Sequence, residues 1–127
     1  CVYYGSEWGA KANKSEGDPA LRACFEEPVF NELTEWISRL AKAKKESPAL
    51  NYGDFRSVVL TNKQCIFERK TEGERVLVAI NADSEPYTAH FDAGCGQAVD
   101  LISGKMHDFG GGSELPPYSA YFWKMER

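Results

Sequence analysis

No apolar run in this 127-residue sequence approaches the ~18 residues needed to span a membrane as a helix. There is no surplus of positive charge either. Lys plus Arg number 15 against 19 Asp plus Glu, a net charge of −4. A mildly acidic chain has no electrostatic case for nucleic acid or an anionic membrane surface. Histidine is scarce, and neither His90 nor His107 has a second ligand at i+3 or i+4. Cysteines stand at 1, 24, 65 and 95, too far apart for any C-x-x-C metal or redox spacing. No metal and no cofactor are therefore expected. An even cysteine count permits two disulfides, but a chain of this size does not need them. Free thiols are expected, and they point to a cytoplasmic compartment. Gly110, Gly111 and Gly112 lack the following GK[ST] of a phosphate loop. The first residues show no basic stretch of a signal peptide and no initiator Met, so the chain is expected to be a piece of a longer one.

What is present is ordinary for a folded chain: 43% hydrophobic and 27% charged residues, with 13% aromatics. The sequence changes character near residue 50. Residues 1–4 are apolar on both pleat faces, which predicts a strand buried on both sides, as in a parallel sheet under helices. Residues 9–19 read as loop and include a glycosylation-type sequon at Asn13, Lys14 and Ser15. Residues 29–45 predict one strong helix, with Val29, Leu33, Trp36, Ile37, Leu40 and Ala41 on one face. Its acidic residues come early and its basic residues late, as the helix dipole favours. Pro48 cannot continue it. From residue 54 onward the pattern is β: runs at 57–60, 64–69 and 75–81, then 87–91, 98–102, 105–108 and 119–125. Strands about ten residues apart with turn residues between them predict an antiparallel β-sandwich. Along the last strand, alternation sends Tyr121 and Trp123 to one face and Phe122 to the other.

Seven motifs then occur in a telling order: YYGSEWG at 3–9, GDPALR at 17–22, SPAL and NYGDF within 47–55, IFERK at 66–70, VLVAIN at 76–81, DLISG at 100–104 and ELPPYSAYFW at 114–123. This order resembles the C-terminal end of the α-amylase superfamily, glycoside hydrolase family 13. The resemblance implies a mainly β fold: an antiparallel sandwich, domain C, preceded by the last strand, loop and helix of a (β/α)8 barrel. It places residues 1–50 with the barrel and 51–127 with domain C. A complete barrel needs roughly 250 residues and cannot fit in this chain.

A retaining glycosidase works with two carboxylates about 5–5.5 Å apart. The resemblance places the nucleophile, the acid and a third, substrate-distorting Asp ahead of residue 1, so no catalytic residue is expected here. The parent is expected to be a retaining α-glycosidase or transglycosylase acting on α-glucans or maltooligosaccharides. Within this chain, Asp18 and Arg22 match a D-P-x-x-R pattern that, in the neopullulanase-like and cyclomaltodextrinase-like branches, reaches the donor side of the cleft. Asp accepts and Arg donates, so together they could grip a diol. The competing reading is an i, i+4 ion pair that only holds the loop. Glu7 follows the expected barrel strand and is expected to support neighbouring loops rather than contact sugar. Trp8 is a candidate stacking surface, with packing against the barrel rim as its alternative.

Two other functions are open to such a chain. It could be a carbohydrate-binding module acting through exposed aromatics, or a sandwich serving protein interaction. If the barrel reading holds, residues 1–4 and the apolar face of the helix are shaped for the remainder of the barrel. Without a pairing partner, Val2, Tyr3 and Tyr4 are expected to lie exposed.

Overall fold

A computed structural model describes residues 1–125. The chain forms two compact units, Cys1–Ala41 and Lys42–Arg127.

In the first unit the opening residues form no strand. The doubly buried strand expected at 1–4 is corrected: a short apolar run with no neighbouring strand cannot pair its backbone groups. Its stated consequence appears instead, with Val2 60% and Tyr3 58% exposed. Single 3-10 turns follow at Ser6–Trp8 and Lys14–Glu16, then the short helix α1, Asp18–Leu21. The loop expected at 9–19 is thus partly structured. At Asn13 a capping box explains why: Glu16 Oε2 accepts from the Asn13 amide at 2.9 Å.

The strong helix, α2, spans Glu32–Glu46 rather than 29–45. Asn31 and Thr34 fix its start. The Thr34 amide donates to Asn31 Oδ1 at 3.1 Å, and the Asn31 amide donates to Thr34 Oγ1 at 3.3 Å. This reciprocal cap leaves Val29 outside the helix. Pro48 ends α2 and also opens a further helix, α3, Pro48–Tyr52, which the pattern did not announce. Proline is well placed in a first turn, where its missing N–H has no intrahelical partner. Ser47 caps α3 by accepting from the Leu50 amide at 3.1 Å.

Among the described residues the second unit holds eight strands. They are β1 Asp54–Leu60, β2 Gln64–Lys70, β3 Arg75–Asn81, β4 Tyr87–Ala89, β5 Gln97–Asp100, β6 Met106–Asp108, β7 Ser113–Leu115 and β8 Ser119–Met125. Six form one antiparallel sheet in the order β1-β2-β3-β8-β5-β6, and β4 pairs with β7 in a second. The expected antiparallel β architecture is present, with sheets of unequal size. Strand β5 stops at Asp100 rather than 102 because the buried Asp100 carboxylate turns the chain: it accepts from the Ser103 amide at 3.0 Å and the Phe122 amide at 2.9 Å. Strand β7 was not anticipated.

The large sheet is covered on both faces. Ile66, Leu77, Ala79 and Trp123 pack with Ala89 and Leu115 of the small sheet. Val76 and Val78 pack with Ala49 and Leu50 of α3. The alternation expected on β8 holds: Tyr121 and Trp123 face the first cluster and Phe122 the second. Trp123 is 1% exposed, so this ring is core. Burying such a side chain contributes roughly 1.5–3 kcal/mol.

One carboxylate is built into the large sheet. Glu68 on β2 accepts from Arg56 of β1 at 3.0 and 3.3 Å and from Arg75 of β3. The hydrogen bond from Arg56, helped by Arg75, holds its carboxyl down at about 2.

Candidate functional site

The four residues singled out from the sequence, Glu7, Trp8, Asp18 and Arg22, all lie in the first unit. Two glycines bracket the turn that carries Glu7 and Trp8. Gly5 and Gly9 have φ of 86° and 76°, backbone that favours glycine. A Cβ on Gly5 would also meet the Phe25 ring at 2.9 Å.

The turn is then fastened to the head of α2. Thr34 Oγ1 donates to the Glu7 carbonyl at 2.7 Å, and Asn31 Nδ2 donates to the Trp8 carbonyl at 3.0 Å. Asn31 and Thr34 therefore cap the helix and hold the turn at once. The spacing N-x-x-T carries a capping signal that the expected helix at 29–45 overlooked, and their second task leaves no signal in the sequence.

Trp8 packs edge-on against Phe25, with ring centres 5.0 Å apart, and Tyr4 meets the same ring at 6.0 Å. The indole thus takes part in the aromatic packing of this unit. A cleft of about 200 Å³ opens beside these rings, lined by Tyr3, Tyr4, Gly5, Ser6 and Phe25 among others.

Glu7 is half-buried, and its Oε2 is sealed from solvent with no hydrogen-bond partner. Among the described residues it is the one buried side-chain oxygen or nitrogen in that condition.

Asp18 and Arg22 sit at either end of α1. Asp18 Oδ2 lies 4.0 Å from Arg22 Nη1, with the side chains 78% and 73% exposed. At that distance and exposure the pair is weak, and both groups keep hydrogen-bonding capacity toward solvent. The structure therefore joins Glu7 to Trp8 through one turn, and Asp18 to Arg22 through one helical turn.

In the second unit a wider cleft of about 610 Å³ lies beside Arg75 and Lys124. Both cations are engaged: Arg75 with Glu68, and Lys124 Nζ with Glu74 Oε1 at 3.0 Å. Among the described residues no group of three or more His, Cys, Asp and Glu side chains could hold a metal ion. No helix among them is long and apolar enough to cross a membrane.

Comparison with known proteins bears on what this arrangement belongs to. The chain is 25% identical over 126 residues to a cyclomaltodextrinase of Thermoanaerobacter pseudethanolicus, covering 97% of this chain and 21% of that protein. It is 35% identical over 83 residues to a cyclomaltodextrin glucanotransferase of Niallia circulans, covering 63% of this chain and 11% of the relative. The chain thus spans about a fifth or less of the length of these relatives. Its fold resembles that of an Anoxybacillus α-amylase, with a TM-score of 0.74 at 22% identity, covering 84% of this chain and 25% of that one. The structure of AmyP E221Q in complex with maltotriose is similar, with a TM-score of 0.68 at 24% identity over 75% of this chain and 21% of that one. Residues 59–126 match the model of the α-amylase C-terminal all-beta domain, and the chain belongs to that family.

Proposed function

We propose that this chain is the C-terminal portion of a glycoside hydrolase of the α-amylase family that acts on α-glucosidic oligo- or polysaccharides. In this reading residues 1–50 complete a catalytic barrel and residues 51–127 form domain C, which stabilises that barrel. The chain itself carries no catalytic carboxylate; the nucleophile and the acid belong to sequence ahead of residue 1. The retaining chemistry expected of the parent, hydrolysis or transglycosylation, takes place there.

The observation that carries this reading is the 126-residue alignment to a cyclomaltodextrinase, which runs through both units and not only the β domain. Physical support comes from the first unit. Val2, Tyr3, Tyr4, Val29, Phe30 and Leu33 are all exposed, large apolar side chains that a packed neighbour would cover.

Asp18 and Arg22 are the substrate-side pair in this proposal. They are exposed, adjacent and only loosely engaged with each other, which leaves them able to hydrogen-bond neutral sugar hydroxyls. Glu7 and Trp8 then support the loop that presents them.

The test uses the 127-residue chain and the longer protein containing it. The isolated chain is expected not to turn over starch or a chromogenic maltoside; turnover at ordinary enzymatic rates overturns the proposal. In the longer protein, Arg22→Ala is expected to raise KM for maltooligosaccharides by roughly tenfold, the loss of about one charge-assisted hydrogen bond, with kcat changed less than twofold. An unchanged KM removes the substrate-side role of the loop. Calorimetric heat on titrating the isolated chain with maltooligosaccharide would instead favour a binding module acting through exposed rings such as Tyr52 and Tyr118, which are 85% and 74% exposed.

A further inference from the structure

Glu7 Oε2 is a buried acceptor with nothing to accept from. Its turn is not loosely placed. Both adjoining carbonyls are tied down, by Thr34 at 2.7 Å and Asn31 at 3.0 Å, and flanking left-handed glycines set the backbone. The backbone that carries this carboxylate is therefore fixed by the rest of the unit. Leaving such an oxygen unpaired in a sealed position is costly. Buried carboxylates are normally matched by an opposite charge.

No arginine of this unit supplies that match: Arg22 and Arg39 are exposed side chains lying beside Asp18 and Glu35, and neither reaches the sealed Oε2. Residues 1–41 carry seven carboxylates against four Lys and Arg, so the unit is short of positive charge. The same unit exposes a set of large apolar side chains, Val2, Tyr3, Tyr4 and Phe25 among them, as an interface face does.

We propose that Glu7 is a positioning residue that receives a guanidinium or ammonium group from the part of the same longer chain that precedes residue 1, when that part packs on the exposed apolar side of this unit. This inference rests on the reading that a longer enzyme exists, and it names the chemistry of one contact within it. The incoming cation hydrogen-bonds Oε2, neutralises the carboxylate and closes the turn. Through Trp8 and Phe25, whose rings meet at 5.0 Å, the turn is coupled to the segment that ends α1 and bears Arg22. The cation thereby fixes where the Asp18 and Arg22 loop stands.

The test compares Glu7→Met and Glu7→Gln in two settings, the 127-residue chain and the longer protein. In the 127-residue chain the oxygen has no partner, so Glu7→Met is expected to leave the melting temperature unchanged or to raise it. In the longer protein the same substitution strands the cation, and the melting temperature is expected to fall by several degrees. Glu7→Gln, which keeps an acceptor but loses the charge, is expected to fall by less, and to raise KM for maltooligosaccharides about threefold with kcat nearly unchanged. Equal effects of Glu7→Met in the two settings overturn the proposal. So does a raised KM with an unaltered melting temperature in the longer protein, which would assign the oxygen to a sugar hydroxyl. The melting comparison needs no catalytic activity: a longer protein that is inactive on α-glucans defeats the proposed function but leaves this contact to be judged by stability alone.

Discussion

The imidazole of His107 lies flat on the indole of Trp123, with 4.1 Å between ring centres and 4° between planes. His107 belongs to β6 of the large sheet, and its Nε2 is 2.8 Å from the Ser113 hydroxyl on β7 of the small one. One side chain thus stacks on the core tryptophan and links the two sheets.

That placement has a pH signature. Burial pushes the His107 imidazole below its ordinary 6.5, against the opposing pull of Asp108 and Asp100. A depressed histidine means that the unfolded chain binds the proton more readily, so stability rises with pH across this window. The contribution is fully present above 6.5 and declines as pH falls through that value and below. Urea midpoints measured from pH 7.5 to 5.5 are expected to fall, and His107→Phe, which keeps a stacked ring but cannot be protonated, is expected to flatten the decline. An equal slope in that variant contradicts the assignment.

Glu68 titrates in a lower window with the same sign. Its carboxyl is held at about 2 by Arg56 and Arg75, from an ordinary 4.5. The stabilisation is present above 4.5 and is lost as pH falls toward 2, with an upper bound of roughly 3 kcal/mol. Glu68→Gln is expected to destabilise at pH 7 by about 3 kcal/mol, since it leaves the mostly buried Arg75 without its counter-charge. The variant's stability should also vary less between pH 4.5 and 2.5. Chemical denaturation at three pH values checks both statements.

Asn81 closes the end of β3. Its Nδ2 donates to the carbonyls of Glu85, Leu115 and Pro116 at 2.9, 3.0 and 3.1 Å, while its Oδ1 accepts from Gln64 Nε2 and the Asp83 amide. The residue is 1% exposed. Asn81→Asp replaces the donor with a second acceptor facing three carbonyls, and is expected to cost at least ~3 kcal/mol. Asn81→Ala, which leaves partners unpaired but adds no charge, is expected to cost less. A thermal or denaturant melt of the two variants gives the order; the reverse order rules out the donor role.

Much of this molecule could be read along the chain because the deciding interactions are close in sequence. The hairpins joining β1, β2 and β3 close over Thr61 and Thr71, whose amides donate to the carbonyls of Gln64 and Glu74 at 3.0 and 2.9 Å. The long strands carry enough β-branched and aromatic residues to announce themselves. Helix α2 was legible from its stripe, although its start depended on the Asn31 cap rather than on Val29. Strand β7 was not legible: three residues after a glycine run carry no period, and its pairing with β4 joins Tyr87 to Leu115 across the chain. The apolar run at 1–4 predicts a buried strand that does not form, because hydrophobicity reports a tendency to be covered, not the presence of a cover.

For the candidate site the division is sharper. Alternation and turn chemistry act within a few residues, so the sequence by itself established an antiparallel β fold; Asp18 and Arg22, four residues apart, were singled out by the family resemblance, and the helical turn between them came from the structure. Which side chains lie sealed, as Glu7 Oε2 does, and which double as helix cap and loop clamp, as Asn31 and Thr34 do, was decided only by tertiary structure. Burial and orphaned hydrogen-bonding capacity depend on atoms brought together from distant positions, and a linear pattern has no means of encoding their distances.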